Sequence, residues 1–333
     1  MAQVGHLALL SALVLSSCAI PADFVGKWRG RTRLIRSGRD ATILSFGCLS
    51  IAVITLAIAL GSSDFDIAYV ARHTSSASPL GYKIVALWAG AGGSLLFWLF
   101  VQTGFVSIAF GKCREDNRKF CADARVAANL VCVFFLLALT FEINPFSLSQ
   151  QVSPNDASLD QRPVHPSLII GYAAYVVSFA WSFAWLKWDN AQGPAPLFKQ
   201  VRYWILSAWL FLTIGAAIGV WSANGQLGSA DSWFWAVVRN AFLMPWLPAT
   251  VLLCCSWICE RNSTVVRWIV TLSLITFSSC ILATFVGRPD MSAGARRLFI
   301  ILLIHIWALV AISSWRRRGR STQGDRKRPD KTE

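Results

Sequence analysis

His165 sits in the run RPVHPS, directly before Pro166 at the mouth of an apolar stretch. Further along, residues 219–246 read GVWSANGQLGSADSWFWAVVRNAFLMPW, with Trp221, Trp233, Trp235 and Trp246 beside Asn224, Asp231, Arg239 and Asn240. A neutral imidazole is a good iron ligand and indole rings stack well on a porphyrin, so the two could together form a haem platform. Each has a plainer reading. Tryptophan gathers at membrane–water boundaries because its ring is apolar at one end and polar at the other, and a histidine at a helix mouth serves as a polar cap. His6 and His305 lie in or near apolar runs, where an ionisable side chain is costly and is a functional candidate by default. For His305 a hydrogen-bonded structural role is expected. His73, in a mixed loop, is expected to be solvated.

Other chemistries find little support. The sequence contains no GxSxG, no HExxH, no Walker loop and no dinucleotide fingerprint in strand context. Carboxylates are almost absent from the apolar runs, which argues against a proton-coupled transporter built on buried acids. Of the nine cysteines, Cys113 and Cys121 fall in a charged loop and the rest lie in or beside apolar runs, so no disulfide framework is expected. The Cys113/Cys121 spacing, without a neighbouring histidine, does not suit zinc.

The elements that must position His165 and the tryptophans are set by composition. Of 333 residues, 55% are hydrophobic and 14% charged, and the mean hydropathy is +0.51. Apolar runs long enough to cross about 30 Å of hydrocarbon recur throughout, and backbone groups in lipid must be satisfied internally. The expectation is therefore an all-α polytopic membrane protein with about nine spans. Their approximate bounds are Val4–Phe24, Ala41–Gly61, Tyr82–Phe110, Val126–Phe141, Pro166–Trp185, Tyr203–Trp221, Met244–Cys259, Val266–Val286 and Leu298–Trp315. The first resembles a signal peptide, but no Lys or Arg precedes it, so it reads as a retained span.

Thirty-one Lys and Arg against 17 Asp and Glu give a formal charge of +14. They cluster at alternate ends of the runs, as in KWRGRTRLIRSGR and KCREDNRKFCADAR. Positive-inside sorting explains this pattern and excludes a nucleic-acid partner. It places the N-terminus outside and the C-terminus inside, with His165 and the tryptophan-rich segment together on the outer face. Residues 1–315 read as one transmembrane domain and 316–333 as a disordered, basic cytoplasmic tail that can touch anionic lipid.

Several stretches, in order, resemble the N-terminal half of the CcmF family of cytochrome c biogenesis haem lyases, one of the haem-handling families with a tryptophan-rich WWD motif. They are VGHLALL, DFDIAYVA, YKIVALWAGAGGSLLFW, NPF, HPSLIIGYAAYVVSFAWSFAW, WILSAWLFLTIGAAIG and WFWAVVRNAFLMPWL. The resemblance implies a protein of the bacterial inner membrane that handles b-type haem in transit on the outer face. Such proteins accept haem from a chaperone and present its vinyl groups to the CXXCH thiols of apocytochrome c, alongside other maturation subunits. It further implies that His165 is the external iron ligand, and that Trp221, Trp233, Trp235, Asn240 and Trp246 contact the macrocycle, with a separate chain supplying the missing C-terminal half. The family motif WGGxWxWDPxEN is degenerate here. Ser229 replaces its first tryptophan, Ala230 and Asp231 the glycine pair, and Ala236, Val237 and Arg239 its aspartate, proline and glutamate. Gly92 replaces a glutamate in the third span, Cys254 stands for a histidine of the seventh, and GRPDMSAGARR carries no second external histidine. The alternative reading is a non-catalytic assembly scaffold that has kept the helical frame and lost haem.

Overall fold

The computed structural model describes residues 1–149, 165–187, 195–224, 243–258, 263–286 and 292–326. Among these it is helical apart from short connections and a single antiparallel bridge, Ile67 with Leu148. The helices are α1 (Ala2–Trp28), α2 (Thr32–Ser62), the short α3 (Ala68–His73) and α4 (Leu80–Ala86), α5 (Ala91–Gly111) and α6 (Arg118–Leu137), which closes in a π turn, Ala138–Glu142. They continue with α7 (Pro166–Leu186), α8 (Ala195–Asn224), α9 (Leu243–Ile258), α10 (Ser263–Val286) and α11 (Ala293–Arg326). Seven helices among the described residues are long and apolar enough to cross a membrane, against the nine spans expected, and Leu243–Trp257 is a shorter apolar helix. The chain is a multi-pass membrane protein.

The centre of the bundle is α7. Its sequence is apolar all round, and a helix without a polar face belongs in an interior. It packs against α5, α6, α8, α10 and α11, and nearly every residue from Ser167 to Leu186 is buried. Around it, α1 lies along α2 and α6, and α9 bridges α8 and α10.

The structure corrects several sequence expectations. The third span breaks between Ala86 and Ala91. Tyr69 of α3 drives into the gap, its hydroxyl donating to the Ala86 carbonyl at 2.8 Å and accepting from the Gly90 N–H at 3.1 Å. It thereby takes backbone groups that a continuous helix would have paired with each other. Glycine is required here, because a Cβ at Gly93 would lie 2.2 Å from the Tyr69 hydroxyl and one at Gly90 2.3 Å from His73 Nε2. His73 is accordingly half-buried, stacked on Tyr69 at 4.2 Å, with Nδ1 at 2.8 Å from the Tyr69 carbonyl.

The helix of the fourth expected span, α6, starts at Arg118, eight residues earlier than expected, which brings Asp123 and Arg125 inside the bundle. Arg125 forms a buried fork with Asp23 of α1, through Nε at 3.0 Å and Nη2 at 2.5 Å. Its other donors reach the Phe110 carbonyl at 3.1 Å and the Ile35 carbonyl at 3.3 Å. Lys27 pairs with Asp123 beside it. Carboxylates are therefore present within the helices, paired with cations and clamping α1, α2, α5 and α6. Cys113 and Cys121, expected to be unpaired, form a disulfide across the α5–α6 turn. Helix α11 runs on as far as Arg326, into the basic tail.

Candidate functional site

Pro166 occupies the first turn of α7, where its missing N–H costs nothing, and His165 becomes the N-cap. The His165 Nδ1 lies 2.7 Å from the Ser167 hydroxyl and accepts from the Ser167 backbone N–H at 3.4 Å. The imidazole is half-buried. The cap reading of His165 thus describes its geometry, yet it leaves Nε2 without a hydrogen-bond partner among the described residues. The two nitrogens are coupled through the tautomer. With Nδ1 accepting, the proton sits on Nε2; with Nδ1–H donating to the Ser167 hydroxyl, Nε2 carries a lone pair and can ligate a metal. Ser167 serves either state, since a hydroxyl both donates and accepts.

Ser167 also fixes where this end of α7 lies. A Cβ at Gly215 of α8 would fall 2.5 Å from the Ser167 hydroxyl and 2.8 Å from the Leu168 nitrogen. One turn down, a Cβ at Gly171 would be 2.9 Å from the Leu212 nitrogen. Small residues facing each other at these points let the two backbones meet. The His165 end of α7 is in this way held against the final third of α8.

The same part of α8 receives Trp246. Its indole N–H donates to the Thr213 hydroxyl at 3.1 Å, two residues before Gly215. The ring stacks on Trp209 at 6.4 Å and 29°, and Trp209 in turn donates to Thr250 of α9 at 2.9 Å. Both indoles have their polar atom satisfied within the α8–α9 pair, which leaves the ring surfaces for apolar contact. Trp221, near the end of α8, is 84% exposed. Trp233, Trp235 and Asn240 lie outside the described residues. Of the six residues singled out from sequence, the described ones, His165, Trp221 and Trp246, all lie towards the C-terminal end of α8, but Gly215 and Thr213 are two residues apart and face different ways, so α7 and Trp246 meet α8 on different faces. The other histidines are engaged elsewhere: His6 Nδ1 lies 2.8 Å from the Asn144 amide, and His305 Nδ1 2.8 Å from the Ile301 carbonyl in the preceding turn.

Sequence reasoning missed Ser167 and Thr213, the residues that orient His165 and Trp246. Ser167 was within reach, since a cap partner two residues on is a local pattern. Thr213 lies 33 residues from Trp246, and nothing in the sequence pairs them. The His165 donor set fits a haem iron: one imidazole with a serine on one nitrogen and the other open. No group of three or more His, Cys, Asp or Glu that could hold a metal ion occurs among the described residues.

Residues 88–289 match the family model described as cytochrome c assembly protein. The chain is similar to the cytochrome c-type biogenesis protein CcmF of Pseudomonas aeruginosa, 34% identical over 298 residues that cover 87% of this chain and 45% of that one. It is likewise similar to NrfE of Haemophilus influenzae, 31% identical over 93% of this chain and 51% of the relative. A solved structure described as cytochrome c heme lyase CcmF superposes with a TM-score of 0.81 at 27% identity, covering 95% of this chain and 51% of that one. The chain spans about half the length of the relatives it matches. With a family model matching well over half its residues, and the same helical frame in a solved relative, this chain belongs to the CcmF-type cytochrome c biogenesis family.

Proposed function

We propose that the chain works in cytochrome c maturation as a haem-lyase half, holding haem at the outer face of the membrane for attachment to apocytochrome c. The observation that carries this reading is the cap at the start of α7: Ser167 holds His165 Nδ1 and is seated against Gly215 of α8, while Nε2 has no hydrogen-bond partner among the described residues. His165 would ligate iron through Nε2 with Nδ1–H donated to Ser167, while Trp246 and Trp221 would line the macrocycle, with Trp233, Trp235 and Asn240 from the following segment. Bound haem supplies the vinyl carbons that are joined to cysteine thiols. The protein's residues orient it, exclude water from one face and keep the His165 proton on Nδ1.

In this reading residues 1–315 are one transmembrane domain of the bacterial inner membrane, with the N-terminus periplasmic and the basic tail from residue 316 cytoplasmic. Support comes from Lys27, Arg29, Arg31, Arg33, Arg36 and Arg39 at the α1–α2 turn and from Lys112, Arg114, Arg118 and Lys119 at the α5–α6 turn, on the face opposite His165. A haem chaperone, apocytochrome c, other maturation subunits and a second chain carrying the remaining half are the partners.

The test is haem absorbance of the purified membrane protein and of His165→Ala and Ser167→Ala. The reading requires a Soret band in the parent, its loss in His165→Ala and a shifted or weakened band in Ser167→Ala. A parent that takes up no haem, or a band indifferent to His165, overturns it and leaves the assembly-scaffold reading.

A further inference from the structure

On the face that carries His165, α3, the start of α5, the π turn after α6 and the start of α11 enclose a cavity of about 340 Å³. Its lining includes none of His165, Trp221 and Trp246. Its walls are pre-formed. The loops after α2 and after the π turn are zipped together by Ala68 N–H to the Ser147 carbonyl at 2.9 Å and Ser149 N–H to the Asp66 carbonyl at 2.8 Å. Asn144, on one wall, is fixed by His6 at 2.8 Å and by the Phe146 N–H at 2.9 Å. Gly92 adds no side chain to the space.

The charged lining has two signs. Arg72 of α3 is exposed and has no ion-pair partner among the described residues. His73 follows it, with Nδ1 held by Tyr69. Glu142, ending the π turn, accepts from the Ser292 hydroxyl at 3.2 Å and lies against Gly294 at the start of α11. A carboxylate has about four acceptor positions, so Glu142 keeps capacity for further donors. Immediately beside this polar space, Phe141 is 70% exposed. At the end of a membrane-spanning helix such a ring belongs in hydrocarbon, so the cavity mouth straddles the boundary between lipid tails and headgroups.

A ligand for this place must carry an anion and a cation a few bonds apart, with an apolar extension that leaves along Phe141. We propose that the cavity binds a phosphoethanolamine headgroup, its phosphate on Arg72 and its ammonium on Glu142, with the acyl chains of the same lipid against Phe141. Guanidinium–phosphate and ammonium–carboxylate contacts are charge-assisted and shorter than neutral ones. The volume sits at the small end of the roughly 300–1,000 Å³ typical of ligand sites. A choline headgroup keeps the charge and loses the N–H donors to Glu142, and a glycerol headgroup loses the cation.

The full chain in detergent, offered ethanolamine, choline and glycerol phospholipids with identical acyl chains, is read by native mass spectrometry. The ethanolamine lipid is retained at least tenfold over the other two, and Arg72→Gln and Glu142→Gln each abolish that preference, while Arg72→Lys keeps part of it. Circular dichroism and elution volume establish that the variants fold. Soluble phosphoethanolamine, added as competitor, identifies the source: a lipid ligand resists it, and a free phosphoethanolamine ligand binds it alone and is blocked by both Gln variants. Equal retention of all three lipids with no binding of the soluble compound, or a preference untouched in both Gln variants, overturns the proposal. Haem absorbance is unchanged in these variants, so the outcome is independent of the haem reading.

Discussion

Replacing Arg125 by methionine isolates the buried ion pair that ties α1 to α6. The Asp23 side chain is 0% exposed and that of Arg125 3% exposed. Their fork spans 102 residues of sequence and is completed by the Phe110 and Ile35 carbonyls of α5 and α2. Arg125→Met removes four hydrogen bonds at once and leaves the Asp23 carboxylate without its guanidinium in a space that water does not reach. Removing one partner of such a pair costs about 3–5 kcal/mol. The double replacement Asp23→Leu with Arg125→Met removes both charges, and similar exchanges for apolar residues are often neutral or stabilising. The loss in the double variant is therefore expected to fall well below the sum of the two single losses. The assay is reversible unfolding in mixed detergent micelles followed by circular dichroism, with the four proteins forming one cycle. If Arg125→Met unfolds with the parent, or the double variant is as unstable as the two single losses added together, the pair is not the clamp described.

Glycine positions give a paired test. Gly93→Ala places a Cβ 2.2 Å from both the Leu87 carbonyl and the Tyr69 hydroxyl; a loss of about 1–3 kcal/mol follows from overpacking. Gly47→Ala meets nothing within 4 Å in mid-α2 and should gain about 0.5–1 kcal/mol of helix stability, both read from the same unfolding curves. Gly215→Leu separates α7 from α8 at Ser167; haem absorbance should fall with it, although neither His165 nor a tryptophan has changed. The Cys113–Cys121 bridge closes a separation of eight residues, so Cys113→Ser should cost about 2–3 kcal/mol on loop entropy. Alkylation with mass readout should find both thiols blocked in the purified protein until reductant is added.

What the sequence reveals of this molecule follows the range of each interaction. Hydropathy runs report burial in lipid residue by residue, so the helical frame and the bounds of α7 could be read directly. The break between α4 and α5 could not, because its cause is Tyr69, a residue from another element, and the stretch WAGAGGS fits a smooth helix as well as a broken one until that hydroxyl arrives. The same holds for Asp23 and Asp123, each of which looks terminal in sequence and becomes interior only because α6 begins at Arg118. The candidate site shows both ranges at once. His165, Pro166 and Ser167 form a local cap whose pattern is legible. The hydrogen bond of Trp246 depends on Thr213, and the seating of α7 on α8 on two glycines of facing helices, and only the fold brings those partners together. On the proposed reading, haem handling would turn on helix packing as much as on the motif residues: the α7–α8 contact at Ser167 and Gly215 sets where His165 stands, and haem binding would fail if that contact opened, whatever tryptophans remain.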